Sequence, residues 1–293
     1  MRVKFVFIYI IGYFSLNFSF FLIRVYDIHQ IRYLHYTTLP YILNFFAGIL
    51  AALYPSGRGN NNATKPDQKG TTLAMGKYNP EKLTVLAASR WLADHGYLGK
   101  RSSGGNISLR TANQDAIAIT PSGRSYLKMA VEDVCVVDLD GNSLGGNLKP
   151  SIEAGMHLGI YRHRPDVNAV IHTHQTYASV LSVLNRPIPA LFDEIIVEIG
   201  HAVEVIPYAF SGSDELVQNV VGKLNNQCHC YLIQNHGALS LGSDMERTLK
   251  NSELLENVAR IYYHALATGL NVDILPEGAI NYFDEMRKLR FLS

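Results

Sequence analysis

Charge of either sign is scarce and nearly balanced: 17% of the 293 residues are Asp, Glu, Lys or Arg, and the formal net charge at pH 7 is +1. So small an excess supplies no general attraction to a polyanion, and no local Lys/Arg patch replaces it, so nucleic-acid binding is not expected. Cysteine is also rare. Three thiols, Cys135, Cys228 and Cys230, do not make a secreted disulfide framework, and a reducing, cytoplasmic compartment is expected for the globular part. The chain has no G-x-G-x-x-G after a strand pattern, no G-x-x-x-x-G-K-[ST] and no G-x-S-x-G. Dinucleotide binding, P-loop nucleotide binding and an α/β-hydrolase elbow therefore lack their signatures. With 47% apolar residues over this length, disorder, collagen and coiled coil are excluded, and a core can form without covalent staples.

Residues 1 to 74 differ from the rest. They carry seven Lys/Arg against Asp27 and Asp67, and the 19 residues from Phe5 to Ile23 have no formal charge. That run is long enough to cross a bilayer as a helix, although Ser15, Asn17 and Ser19 interrupt it and positive residues flank both sides. Tyr41 to Tyr54 is a shorter apolar stretch, and Gly57 to Gly70 reads as a polar linker. Three readings stay open for this extension: a membrane tether through residues 5–23, another structured element, or a non-native upstream extension. Met75 stands where the globular domain, 75–293, is expected to begin.

From Asn79 the pattern is that of an α/β domain. Asn79 is expected to cap a helix with Pro80 in its first turn; Leu83, Leu86, Ala87 and Trp91 recur at helical spacing, and Gly96 marks the exit. Strands are expected at 116–120 and 134–139, closed by Asp140-Gly141, then a helix from Ser151 through Arg162. Further strands are read at 167–172, 195–199, 203–207 and 231–234, with helices at 176–184, from an N-cap at Ser213 to Leu224, and from Ser243 or Asp244 to Ala267 before Gly269. Alternation of strands and helices after residue 150 implies a sheet covered by helices on both faces.

The chemistry-bearing feature is a set of histidines. His172 and His174 are two apart at the end of a predicted strand, so both imidazoles point to one side of the pleat. On its own such a pair is as readily an ordinary strand end. His236, in Gln234-Asn235-His236-Gly237 after a buried strand, adds a third imidazole, and three neutral imidazoles leave a coordination position open, as in a catalytic zinc site. Glu153, at the start of the helix preceding the His172 strand, is a ligand, a base or a helix-terminal charge. His157 is placed either to support that site or as a satisfied core residue. Cys228-His229-Cys230 invites a metal reading, but on a strand its thiols would face away from its imidazole and no further cysteine is near. Tyr262, Tyr263 and Leu266 read as packing, and Tyr282 lies in a tail with no assigned role.

Lys149-Pro150-Ser151-Ile152-Glu153, Met156-His157, Tyr161, Arg164-Pro165-Asp166 and Ala169-Val170-Ile171-His172-Thr173-His174 together resemble the core of the class II aldolase/adducin family, whose best-known members are fuculose-phosphate aldolases. Gly104-Gly105-Asn106-Ile107-Ser108, Ile119-Thr120-Pro121-Ser122-Gly123, Pro207-Tyr208 with Gly212-Ser213, and the His236 block resemble the family's other blocks in order, over roughly 80–270.

The resemblance implies a three-layer α/β/α fold with a mixed central sheet, a divalent ion (zinc or another such as Mn2+) on His172, His174 and His236, and Glu153 moving protons. It implies reversible cleavage of a small ketose phosphate to dihydroxyacetone phosphate and an aldehyde through a metal-stabilised enediolate. Gly105, Asn106, Ser122, Gly123 and Ser151 match a phosphate cradle, which turn N–H groups form without Lys or Arg. A homotetramer is implied too. Dehydration, epimerisation and decarboxylation run on the same scaffold, and an adducin-like module without chemistry is the remaining alternative. Two departures stand out. Ile152 replaces a second serine of the cradle, and Leu191-Phe192-Asp193-Glu194 replaces a tyrosine proton donor, leaving Asp193 as a substitute acid or plain surface.

Overall fold

The computed structural model describes residues 77–99 and 104–290. The apolar runs 5–23 and 41–54 and the linker lie outside the described residues, and the readings made for them stay expectations. Among the described residues no helix is long and apolar enough to cross a membrane.

The chain runs α1 (Asn79–Asp94), β1 (Asn106–Arg110), β2 (Ala116–Ile119), β3 (Cys135–Asp138), β4 (Ser143–Gly145), α2 (Ala154–His163), β5 (Ala169–Thr173) and α3 (Thr176–Val183). It continues through α4 (Asp193–Glu198), β6 (Glu204–Ile206), α5 (Asp214–Lys223), β7 (Cys230–Ile233), β8 (Gly237–Gly242), α6 (Met245–Ala267) and α7 (Glu277–Arg290). The strands form one sheet in the order β4-β3-β2-β1-β5-β8-β7-β6. Only β6 and β7 pair in parallel; the other neighbours are antiparallel, so the sheet is mixed.

Period-two alternation divides the strand side chains between two apolar layers. Ile117, Ile119, Val170, Tyr231, Ile233, Leu239 and Leu241 pack with Met156, Ile160, Leu216 and Val220, so α2 and α5 cover one face. On the other face Ile107, Ala118 and Ile171 meet Val85, Leu86 and Leu92 of α1, and Cys230, Leu232 and Ala238 meet Leu181, Leu255 and Val258 of α3 and α6. This is the expected three-layer α/β/α arrangement.

Local details depart from the sequence reading. Tyr78, not Asn79, occupies the N-cap of α1, and no side chain caps it. The buried stripe of that helix is Val85, Leu86, Ala88, Ser89 and Leu92, while Leu83 is exposed. Residues 195–199 are not a strand. They lie in and just after α4, with Ile195, Ile196 and Ile199 buried and Asp193 and Glu194 in the first turn, where carboxylates suit the helix dipole. The Ser213 cap is present, its hydroxyl accepting from Leu216 N–H at 3.1 Å, and of the two candidates for α6 Asp244 is the cap. Cys228 and Cys230 fall in different cores, so they do not share a face as expected; both are buried free thiols.

Candidate active site

Strand register assembles the site at one end of the sheet. Asn106 opens β1 directly beside His172 of β5, and His172 lies opposite Leu239 of β8. The turn 234–236 between β7 and β8 therefore closes next to the point where β5 ends. Asn235 takes the left-handed conformation (φ 53°) there, and His236 N–H donates to Ile233 C=O. His174 follows the end of β5, its N–H donating to Tyr97 C=O at 3.0 Å.

The three imidazoles converge. Ring centroids are 4.9 Å apart for His172 and His174, 4.7 Å for His172 and His236 and 5.6 Å for His174 and His236, and one nitrogen from each lies within 4.8 Å of the others. His172 donates from Nδ1 to Ala238 C=O at 2.9 Å, which fixes its tautomer and leaves the Nε2 lone pair facing His174 Nε2 at 3.1 Å. Two nitrogens about 2.0–2.1 Å from one tetrahedral ion would stand roughly 3.3 Å apart, so the spacing fits a shared divalent cation. Burial lowers the pKa of His172 to about 3, and burial also lowers that of His174, keeping these rings in the neutral, ligating form.

Glycine clears the space these rings occupy. A Cβ on Gly237 would meet Thr173 O at 2.3 Å and His174 Cδ2 at 2.8 Å; one on Gly104 would meet His174 Nδ1 at 2.9 Å. Gly105, at φ +78°, backs onto His172 O at 2.2 Å from where its Cβ would stand.

Glu153 sits at the N-cap position of α2 without capping it. Its carboxylate reaches inward, Oε1 to His236 Nε2 at 3.2 Å and Oε2 to His172 Nε2 at 3.5 Å, and accepts from Asn106 Nδ2 at 2.6 Å. Burial raises its pKa, but the His172 and His236 imidazoles and the Asn106 N–H outweigh it, and the net shift is downward. His157, one turn along α2, is fully buried and bonds to Asn106 rather than to the trio.

Around these groups lies a cavity of about 230 Å³ lined by Gly105, Asn106, Ser122, Gly123, Ser151, Glu153, His174 and His236, and also by Tyr126, Ile152 and Ser211. Two backbone bonds bring the loop after β2 to the approach of α2: Ser122 N–H to Lys149 C=O and Ser151 N–H to Thr120 C=O, both 3.0 Å. Gly123 turns there at φ +67°. The result is a wall of hydroxyls, an amide and turn backbone, with no Lys or Arg among the described residues that line it. Tyr126 and Ser211 were not singled out from the sequence. Tyr126 OH donates to Gly105 C=O at 2.6 Å, and Ser211 Oγ is 3.3 Å from His236 Nε2. Tyr126 stands in a short 3-10 turn, and Ser211 immediately precedes the Gly212-Ser213 block, the one positional hint available. Ile152 is 67% exposed at the rim. Asp193 is exposed at the start of α4 and does not line the cavity.

Comparison with known proteins concerns the same stretch of chain. The family model described as class II aldolase and adducin N-terminal domain matches residues 84–263. A 5-deoxy-D-ribulose 1-phosphate aldolase of Bacillus thuringiensis serovar kurstaki is 34% identical over 189 residues, 64% of this chain and 84% of that protein. An L-fuculose phosphate aldolase of Escherichia coli (strain K12) is 34% identical over 180 residues, 61% of this chain and 82% of that one. A solved structure of L-fuculose 1-phosphate aldolase superposes with TM-score 0.65 at 32% identity, covering 71% of this chain and 96% of its own. YgbL of Klebsiella pneumoniae, to which an aldolase, epimerase or decarboxylase activity is ascribed, superposes with TM-score 0.63 at 26% identity, covering 71% and 99%.

Proposed function

This chain belongs to the class II aldolase and adducin family, and from that premise we propose that it is a lyase cleaving a small ketose phosphate reversibly to dihydroxyacetone phosphate and an aldehyde. One observation carries the reading: three imidazoles from β5, the position after it and the β7–β8 turn meet around a buried carboxylate at the floor of a cavity rich in neutral hydrogen-bond donors. His172, His174 and His236 would hold a divalent ion, zinc or Mn2+. When bound, that ion supplies Lewis-acid stabilisation of the negative charge that C–C cleavage leaves on the substrate oxygens.

The remaining work falls to the chain itself. Glu153 holds and moves the proton at the carbon beside the carbonyl: as a carboxylate it removes that proton in the condensation direction, and as the acid it returns it in cleavage. Ser122, Ser151, Asn106 and the N–H groups around Gly105 and Gly123 orient the phosphate, a nest of dipoles serving in place of a fixed cation. Exposed Ile152 leaves that end one hydroxyl short of the fuculose-phosphate pattern, so phosphate binding relies on the other donors. The catalytic domain is proposed to act in the cytoplasm as a homotetramer.

A specific observation favours a second reading. Asp193 lies outside the cavity of this chain, so it does not supply the acid that protonates the aldehyde oxygen in aldol condensation, nor take up the hydroxyl proton in cleavage. Decarboxylation, or epimerisation by proton exchange at the carbon beside the carbonyl, would exploit the same stabilised enolate with no aldehyde oxygen to protonate, and dehydration would need its proton at the departing hydroxyl instead. The deciding experiment incubates the zinc-loaded protein with a panel of ketose 1-phosphates and assays dihydroxyacetone phosphate. Its appearance supports the aldolase; consumption without it replaces the aldolase by the second reading. No turnover of any sugar phosphate by metal-loaded protein would favour an adducin-like module.

A further inference from the structure

Behind Glu153 the polar groups continue into the core. Asn106 donates from Nδ2 to Glu153 Oε2, and its Oδ1 accepts from His157 Nε2. His157 Nδ1 lies 2.6 Å from Ser108 Oγ, which lies 2.8 Å from Tyr161 OH. Glu153, His157 and Tyr161 follow one another at four-residue intervals along α2, and Asn106 and Ser108 alternate along β1, so one helix face meets one strand face in a continuous line. All five are buried, from 0% exposure for Ser108 and His157 to 4% for Asn106 and Glu153.

The hydrogens follow from donor and acceptor chemistry. An ionised carboxylate only accepts, so Asn106 turns its NH2 toward Glu153 and its carbonyl toward His157. His157 then carries its proton on Nε2. Burial lowers its pKa to about 4, so the ring is neutral and Nδ1 must accept from Ser108, which in turn accepts from Tyr161. Reversing any link leaves two lone pairs or two hydrogens face to face inside the core, where an unmade hydrogen bond is costly.

We infer that His157 is a positioning residue for Glu153: its Nε2–H holds the Asn106 carbonyl, so the amide turns its NH2 to the carboxylate and keeps it toward His172 and His236, while the Ser108 hydroxyl, backed by Tyr161, satisfies His157 Nδ1. This rests on the role proposed for Glu153. Glu153 and Asn106 meet the cavity, but His157, Ser108 and Tyr161 are sealed at 0–1% exposure, so the line has no solvent at its inner end and orients the carboxylate rather than conducting protons.

Two measurements test it on the full chain. Long-range 1H–15N correlation on histidine-labelled protein, with the His157 signals identified by their loss in His157→Gln, should show a neutral Nε2–H tautomer at pH 7; a charged ring or an Nδ1–H tautomer overturns the inference. In kinetics, His157→Leu should lower kcat roughly 10- to 100-fold with KM changed less than about twofold and bound zinc unchanged, because small misplacements of a reacting group are costly. His157→Gln, which restores a donor to Asn106, should recover most of that loss. In a Glu153→Gln background, His157→Leu should cost no more than about twofold further; multiplied losses mean a structural role and overturn the inference. If His157→Leu does not fold, Ser108→Ala should give a smaller kcat loss that likewise vanishes in Glu153→Gln. Absence of turnover in the wild type would sink the proposed function, and the tautomer would still decide the hydrogen-bond line.

Discussion

At the scale of residues, the site depends on what is absent beside the imidazoles as much as on the imidazoles. Gly237 is the clearest case, because it does not occupy the left-handed region and an alanine there meets no backbone penalty, only the steric one. Gly237→Ala is expected to weaken zinc binding at least tenfold, measured by competition with a chelator, while far-UV circular dichroism stays native; unchanged affinity would show that the rings do not need that clearance. The buried histidines also set an acid limit. Burial depresses His157 to about 4 and His229 to about 3, against about 6.5 in an unfolded chain. The unfolded state therefore takes up protons below about pH 6.5 while the native state does not, so stability is fully present above that pH and falls as pH drops toward 4. The shifts amount to about 3 kcal/mol for His157 and about 5 kcal/mol for His229 in total. The denaturation midpoint should decline steadily from pH 6.5 to 4.5, and less so in His229→Gln; a flat midpoint over that range contradicts the assignment. That His172, His174 and His236 come together was legible by spacing and resemblance. Tyr126 and Ser211 were not, because a hydroxyl that reaches a site from a short turn leaves no periodic trace.

Among the elements, α2 delivers Glu153 and must lie close to α5. A Cβ on Gly159 would stand 2.8 Å from Val217 Cγ1 and 3.3 Å from Val221 Cγ2. Gly159→Leu should therefore destabilise by about 1–3 kcal/mol through overpacking, and Val217→Ala should recover part of it in the double variant. Additive losses in thermal denaturation would mean that the two side chains do not compete for the same space. Ser213→Ala removes the hydroxyl that caps α5 and is expected to cost about 1 kcal/mol. Capping chemistry was readable at Ser213 and near Asp244. Residues 195–199 misled because β-branched residues suggest a strand, whereas the burial of Ile195, Ile196 and Ile199 has helical spacing and the packing decides. Strand β8 escaped notice because Gly237 to Gly242 is buried on both faces and shows no alternation. Helix α7 read as a tail; it is held by Arg287, buried at 1% exposure, which donates to Asp284 and to the Gln227 carbonyl.

For the molecule as a whole, the mixed sheet with helices on both faces was foreseeable from alternation and family resemblance, while strand order was not, since local periodicity carries no record of which strands become neighbours. That order explains the site: β1, β5 and β8 are adjacent in the middle of the sheet, so groups as far apart in sequence as Asn106 and His236 meet at one end of these strands. A chain beginning at Met75 is expected to retain the zinc stoichiometry and sedimentation behaviour of the full chain, the latter proposed to be that of a tetramer. The account stands most directly on metal analysis of purified wild type and His174→Ala after zinc loading and desalting. It predicts close to one ion per chain in the wild type and little or none in the variant. Equal zinc in both, or none in either, would contradict it.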